Sequence, residues 1–115
     1  MQPLYQKLVE AGCLVLGTPV YFEMLSGQLK TFMDRTCPIW PSLKGKPIAG
    51  VAVAEEGIGK AVQNLRTYAG ICGMRWVGSI AALAKTPRQA SKDPAVERRL
   101  RMLAGKIAGA RSVTA

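Results

Sequence analysis

GTPVYFEMLSGQLKTFMDR, residues 17–35, joins an apolar strand to a helix through a tight loop, and that junction decides the fold. Ahead of it, Cys13, Leu14, Val15 and Leu16 form a continuous apolar run. Such a run reads as a strand covered on both faces in a parallel sheet, although four residues alone also fit a helix. Gly17 is expected to end the strand. Thr18 and Pro19 then turn the chain at the strand's carboxyl end, where open α/β sheets place their ligands, and Pro19 fixes φ so that the next amides face outward. Tyr21 and Phe22 follow directly. Ser26 caps a helix whose Leu25, Leu29, Phe32 and Met33 share one face, with Lys30 and Asp34 as an i,i+4 pair on another.

The 115 residues fit one domain, and a chain of this size buries roughly two thirds of its unfolded surface, enough for one core. Hydrophobic residues make up 49% and charged residues 20%, a globular balance that excludes general disorder. No stretch approaches the ~20 apolar residues of a membrane helix, and the amino terminus lacks a signal-like apolar core, so a cytoplasmic protein is expected. Cys13, Cys37 and Cys72 are three in number with no histidine in the chain, and no metal motif fits. Cys13 and Cys72 read as small core residues, and Cys37 as a loop thiol. Of the net charge of +9, the last 28 residues carry +5. This tail favours polyanion contact only weakly, because no nucleic-acid motif accompanies it and a basic helix face is commonly just solvated.

The rest of the chain alternates helix and strand. A helix begins near Pro3 and stops at Gly12, so the sequence opens mid-unit. Thr36 to Lys46 reads as a surface loop, since Pro38, Pro41 and Gly45 disfavour a regular element, and Trp40 offers aromatic surface there. PIAGVAVA, residues 47–54, is a second buried strand whose small residues at 49, 50, 52 and 54 let a helix or ligand approach. Glu55-Glu56-Gly57-Ile58-Gly59 forms a second candidate ligand loop. It leads into a helix with Ile58, Val62, Leu65, Ala69 and Cys72 on one stripe and Gly73 as its stop. A phosphate-loop reading fails because Ala54 and Ala61 stand where glycine and a hydroxyl are needed, and a G-x-G-x-x-G reading fails at Val62. WVGSIAAL, residues 76–83, is a third strand. After a polar connector at 85–92, Asp93 caps a final helix over 93–110, with Pro94 first and Val96, Leu100, Leu103 and Ile107 as its docking stripe. Arg98, Arg99, Arg101 and Lys106, with Arg111 beyond, make its basic side. Alternating elements of this kind give a doubly wound parallel α/β sheet.

On these residues the chain resembles the flavodoxin-like NAD(P)H-dependent FMN reductases, the group that includes multimeric flavodoxins and iron–sulfur flavoproteins. GTPVYFEMLSGQLKTFMDR looks like the family's flavin-contacting segment, and LKGKPIAGVAV at 43–53 and LRTYAGICGMRWVG at 65–78 look like its next two strand approaches. The similarity therefore runs from about Leu4 to Gly78. Without a Cys-x-x-Cys cluster, the chain departs from relatives that carry an iron–sulfur centre, and Glu55 and Glu56 depart from a loop that is typically richer in glycine.

The resemblance implies a flavodoxin-like fold truncated to about three strands, corresponding to the third, fourth and fifth of the 2-1-3-4-5 order. It implies FMN as cofactor and NAD(P)H as electron donor, with electrons passing to a quinone or another small acceptor. Thr18, Pro19, Val20, Tyr21 and Phe22 would line the isoalloxazine, and Gly57 and Gly59 would support the far loop; no side-chain acid or base is required, so no catalytic residue is assigned. The family's phosphate cradle has no counterpart here, which predicts weak flavin binding with little preference for FMN over riboflavin. Two origins are open: a fragment whose start lies upstream of Met1, which is favoured, or a short protein that completes its sheet with another chain. Cys13 to Leu16 is then a bare edge, so a homo-oligomer paired through it is expected, the alternative being that the helix from Pro3 to Glu10 folds back over the edge and leaves a marginal monomer. Alternatives are a non-enzymatic interaction module without flavin and, at the loop itself, Tyr21 and Phe22 merely covering the sheet end.

Overall fold

The computed structural model describes residues 2–55, 57–85 and 92–114, with side chains described over 3–55, 57–85 and 92–110. Glu56, most of the 85–92 connector and the Arg111 side chain lie outside the described residues. Helix α1 (Gln2–Glu10) leads to strand β1 (Leu14–Tyr21), a two-residue strand β2 (Met24–Leu25) and helix α2 (Gly27–Arg35). A 3₁₀-helix (Cys37–Leu43), strand β3 (Pro47–Ala54), helix α3 (Ala61–Ile71), strand β4 (Arg75–Leu83) and helix α4 (Pro94–Thr114) follow. The four strands form one sheet in the order β2-β1-β3-β4. β1 pairs β3 and β3 pairs β4 in parallel, as the helix–strand alternation predicts, while β2 folds back antiparallel on the end of β1.

The structure corrects the expected end of the first strand. β1 does not stop at Gly17: its ladder with β3 continues through Gly17 opposite Val51, Thr18 opposite Ala52 and Pro19 opposite Val53. Pro19 is tolerated inside β1 because β2 pairs with β1 only at Val20 and Tyr21, so among the described residues one side of β1 up to Pro19 has no ladder for a missing donor to break. The turn lies three residues later, at Phe22 and Glu23, which makes a fourth, very short strand out of Met24 and Leu25.

The expectation that Cys13 to Leu16 is covered on both faces also fails. Cys13 precedes the strand, and burial alternates along it, with Leu14 and Leu16 buried and Val15 54% exposed. The reason is the distribution of the helices. Leu14 and Leu16 join Leu8, Met33, Ile48, Leu65 and Met74 in the larger core. On the smaller core, Leu103 and Ile107 of α4 meet Ala49, Val77 and Ile80 of β3 and β4, a cluster that does not include Val15, which stays exposed. Leu100, expected on the docking stripe, is exposed, whereas Val96 and Leu103 are buried.

Residues 36–46 are not an irregular surface loop. They contain the 3₁₀-helix, whose i→i+3 bonds accommodate Pro38 in its first turn, and Leu43 anchors it in the core at 0% exposure. Gly50 has the role its size suggests: a Cβ there would meet Leu65 Cδ1 at 2.7 Å, so glycine lets α3 lie close on β3. Gly73 ends α3 at φ +69°. Asp93 caps α4, its Oδ1 accepting from the Ala95 amide at 2.9 Å, and the helix runs to Thr114 rather than stopping at 110. No helix among the described residues is long and apolar enough to cross a membrane.

Candidate functional site

β1 and β3 both run toward the 55–60 loop, so their carboxyl ends bring residues 19–25 and 57–60 together. The first segment is a two-residue hairpin, Val20 opposite Leu25 and Tyr21 opposite Met24, closed by Phe22 at φ 51° and Glu23 at φ 65°. Two consecutive left-handed residues match the twist of a tight hairpin, a geometry that ordinarily selects Asn-Gly. Phe and Glu are poor occupants, at roughly 1–2 kcal/mol per residue, and strain of this kind gathers at ligand-contact loops. Nothing in the residue types announced this turn, and the sequence reading missed it.

Three contacts hold the strained tip. The Lys60 amide donates to the Glu23 carbonyl at 2.6 Å. Gly59, at φ +56°, lies flat against Glu23, and a Cβ on it would come within 2.6 Å of the Glu23 Cα. The Leu25 amide donates to Asn64 Oδ1 at 3.2 Å, which ties the returning strand to the first turn of α3. At the hairpin's base the Ser26 amide donates to Thr18 Oγ1 at 2.9 Å, and Ser26 Oγ in turn caps α2 by accepting from the Leu29 amide at 3.1 Å.

The sequence-derived residues therefore divide. Tyr21 and Phe22 stand free at 58% and 101% exposure, while Leu29 and Phe32 are half-buried against the core, so the two loop aromatics do not seal the sheet end. Pro19 is exposed, and Val20 is half-buried within the hairpin. Thr18 is 4% exposed, and its hydroxyl is committed to the Ser26 amide and to the Pro19 carbonyl at 2.6 Å, so its side chain serves the hairpin rather than a ligand. Gly57 is open, with nothing within 4 Å of a Cβ placed there, whereas Gly59 is filled by Glu23. The residues that sequence reading overlooked are Glu23, Lys60 and Asn64; their contribution lies in backbone groups and in one polar helix residue, which carry no pattern.

Beside the hairpin a groove of about 950 Å³ opens between α2 and α3, with Tyr21, Met24, Trp40 and Ile71 among its lining residues. In its floor the buried Thr36 hydroxyl donates to the Met33 carbonyl at 2.7 Å, which leaves the Tyr68 hydroxyl to donate to Thr36 Oγ1 at 2.7 Å. Loss of hydration pushes both the Tyr68 phenol and the Cys72 thiol above their ordinary pKa values. Cys37, on the 3₁₀-helix, is exposed.

A mostly parallel sheet flanked by helices, with its ligand-facing loops at the strands' carboxyl ends, is the doubly wound α/β architecture to which flavodoxin-like proteins belong. Solved structures agree at the level of the fold: a flavodoxin, WrbA-like protein from Agrobacterium tumefaciens superimposes with a TM-score of 0.82 at 22% identity, over 97% of this chain and 74% of that one. An NADH:FMN oxidoreductase in its apo form gives a TM-score of 0.73 at 22% identity, over 97% and 58%. The family model described as NADPH-dependent FMN reductase matches residues 1–88, and the chain belongs to that family. Among curated relatives, an iron–sulfur flavoprotein of Archaeoglobus fulgidus is 39% identical over 62 residues, which is 52% of this chain and 28% of the relative. One from Methanocaldococcus jannaschii is 37% identical over 71 residues, 58% of this chain and 36% of the relative. The chain thus matches about a third of the length of these curated relatives.

The family's cofactor is FMN, and the residues present fit its ring. Two loops converge at the carboxyl end of the sheet, one of them carrying exposed Tyr21 and Phe22 and the other an uncovered glycine at 57. Among the described residues, the loops at this end contain no glycine-rich phosphate motif.

Proposed function

We propose that this chain holds the isoalloxazine of FMN against the exposed Tyr21 and Phe22 of the 19–25 hairpin and the open backbone at Gly57, beside the place where Gly59 and Glu23 join the two loops. In this reading it serves an NAD(P)H-dependent oxidoreductase that passes electrons to a quinone or another small acceptor. The observation that carries the reading is the Lys60 amide bonded to the Glu23 carbonyl at 2.6 Å, which draws both loops to one place beneath two exposed aromatics. When bound, the flavin supplies the hydride-accepting and electron-donating chemistry. The protein's part is to bind and orient it. Tyr21 and Phe22 offer faces for stacking and exclude water from one side of the ring, and the backbone of 20–22 and of Gly57 offers hydrogen bonds to its polar edge. No described side chain is required to hold or move a proton for that transfer. A family reductase works in the cytoplasm in this reading, with a nicotinamide as donor.

Flavin fluorescence quenching on titration with FMN and with riboflavin tests the proposal. Saturable quenching that Phe22→Ala weakens by several-fold is expected; a wild-type chain that quenches neither flavin overturns it. The free side of β1 favours a second reading alongside the first. Among the described residues only β2 pairs there, at Val20 and Tyr21, so the edge from Leu14 to Pro19 and the exposed Val15 suit a second copy of the chain. A stable dimer that binds no flavin would leave the non-enzymatic interaction module as the better account.

A further inference from the structure

We infer that Asn64 is a positioning residue for the flavin-contact hairpin, acting through the Leu25 amide rather than on the ring itself; the inference rests on the FMN reading above. Asn64 lies in the first turn of α3, where asparagine is a poorer helix former than alanine. Its own backbone amide is already satisfied, donating to the Lys60 carbonyl at 2.8 Å. The side chain is half-buried, and its Oδ1 accepts from Leu25 across 39 residues of sequence, the longest-range side-chain bond to the hairpin. That bond and the Lys60–Glu23 bond both fall on the returning side of the left-handed tip, so the start of α3 grips the hairpin at the second turn residue and again two residues further on, in β2. A two-residue hairpin is marginal by itself, and one closed by Phe and Glu more so. Any loss of grip lowers the fraction of molecules whose Tyr21 and Phe22 stand in the binding arrangement, and the apparent affinity falls by that fraction.

The test uses the full chain with Asn64→Ala and Asn64→Asp, read by amide exchange of Leu25 in flavin-free protein and by the FMN dissociation constant. Alanine keeps the helix and removes the acceptor; aspartate keeps an acceptor oxygen at the same place. Asn64→Ala is expected to speed Leu25 exchange and weaken FMN binding by roughly 2- to 12-fold, the span of one ordinary hydrogen bond, while Asn64→Asp restores both. Unchanged exchange and affinity in Asn64→Ala overturn the inference and leave the FMN reading standing. Equal losses in both variants also overturn it, because the bond would then not be the cause. A wild-type chain that binds no FMN overturns both.

Discussion

Gly59 packs flat against Glu23, so that a Cβ on the glycine would lie 2.5 Å from the Glu23 carbonyl oxygen, the same oxygen that accepts from Lys60. Glycine is needed at 59 twice over, for its positive φ and for this approach. Gly59→Ala is expected to cost ~1–3 kcal/mol in urea unfolding and to weaken flavin binding, since the clash falls on backbone that cannot swing aside. Gly57→Ala meets nothing within 4 Å. Its stability should stay within about 0.5 kcal/mol of wild type or rise slightly.

The tip itself supplies a converse experiment. Replacing Phe22→Asn together with Glu23→Gly installs the pair that this turn geometry prefers, and should raise stability by roughly 1–2 kcal/mol. The same change removes the exposed ring, so FMN affinity should drop. A melting temperature and a titration on one sample check both, and a variant that is stabilised yet binds flavin as well as wild type would show that Phe22 contributes nothing to the ring.

Thr18 separates a structural from a ligand-contact role. Thr18→Ser keeps the hydroxyl that the Ser26 amide needs, whereas Thr18→Val leaves that buried amide without its acceptor, at about 1–3 kcal/mol. Chemical denaturation should show valine destabilised and serine near wild type. Ser26→Ala, which removes the α2 cap, should cost about 1 kcal/mol.

Alkaline stability follows from Cys72 and Tyr68. Both acids are raised in the folded chain, chiefly by burial, above reference values of 9.0 and 10.0. Between the unfolded and folded pKa values the unfolded chain has released protons that the folded chain retains, so stability is full below about pH 9 and falls as pH rises beyond it. Cys72→Ala combined with Tyr68→Phe should flatten that slope in urea midpoints taken across pH 8 to 11, estimates that bracket the ordinary thiol and phenol range. At neutral pH a thiol reagent should label Cys37 well before Cys72, following their exposure.

The β1 edge predicts association. Val15 is 54% exposed on the face that α4 leaves bare, and Val15→Lys places a charge there of the kind natural edges use against pairing. Sedimentation of the wild-type chain should show concentration-dependent association that the lysine variant loses. A monodisperse monomer for both would show that the edge has no partner of its own kind.

The sequence by itself determined the alternation of the main helices and strands and the parallel order of the three long strands, but not β2. Ser26, Gly73 and Asp93 mark helix ends through local backbone chemistry, and the small residues of PIAGVAVA and the Leu65 stripe bring α3 onto β3 whatever lies elsewhere. The FMN-family segment was legible for the same reason, as a run of neighbouring residues with fixed spacing. Tertiary structure decided what depends on groups distant in sequence. Gly17 and Pro19 look like breakers until an adjoining β3 holds them in its ladder. Val15 looks buried until α4 is seen to pack mainly on β3 and β4, leaving Val15 exposed. Phe22 and Glu23 adopt a conformation that their own residue types disfavour, and they keep it because Gly59, Lys60 and Asn64, some 40 residues away in the chain, supply the opposing contacts. A propensity is a property of one residue in its local chain, whereas this hairpin exists only by the balance between its own strain and bonds made from another element.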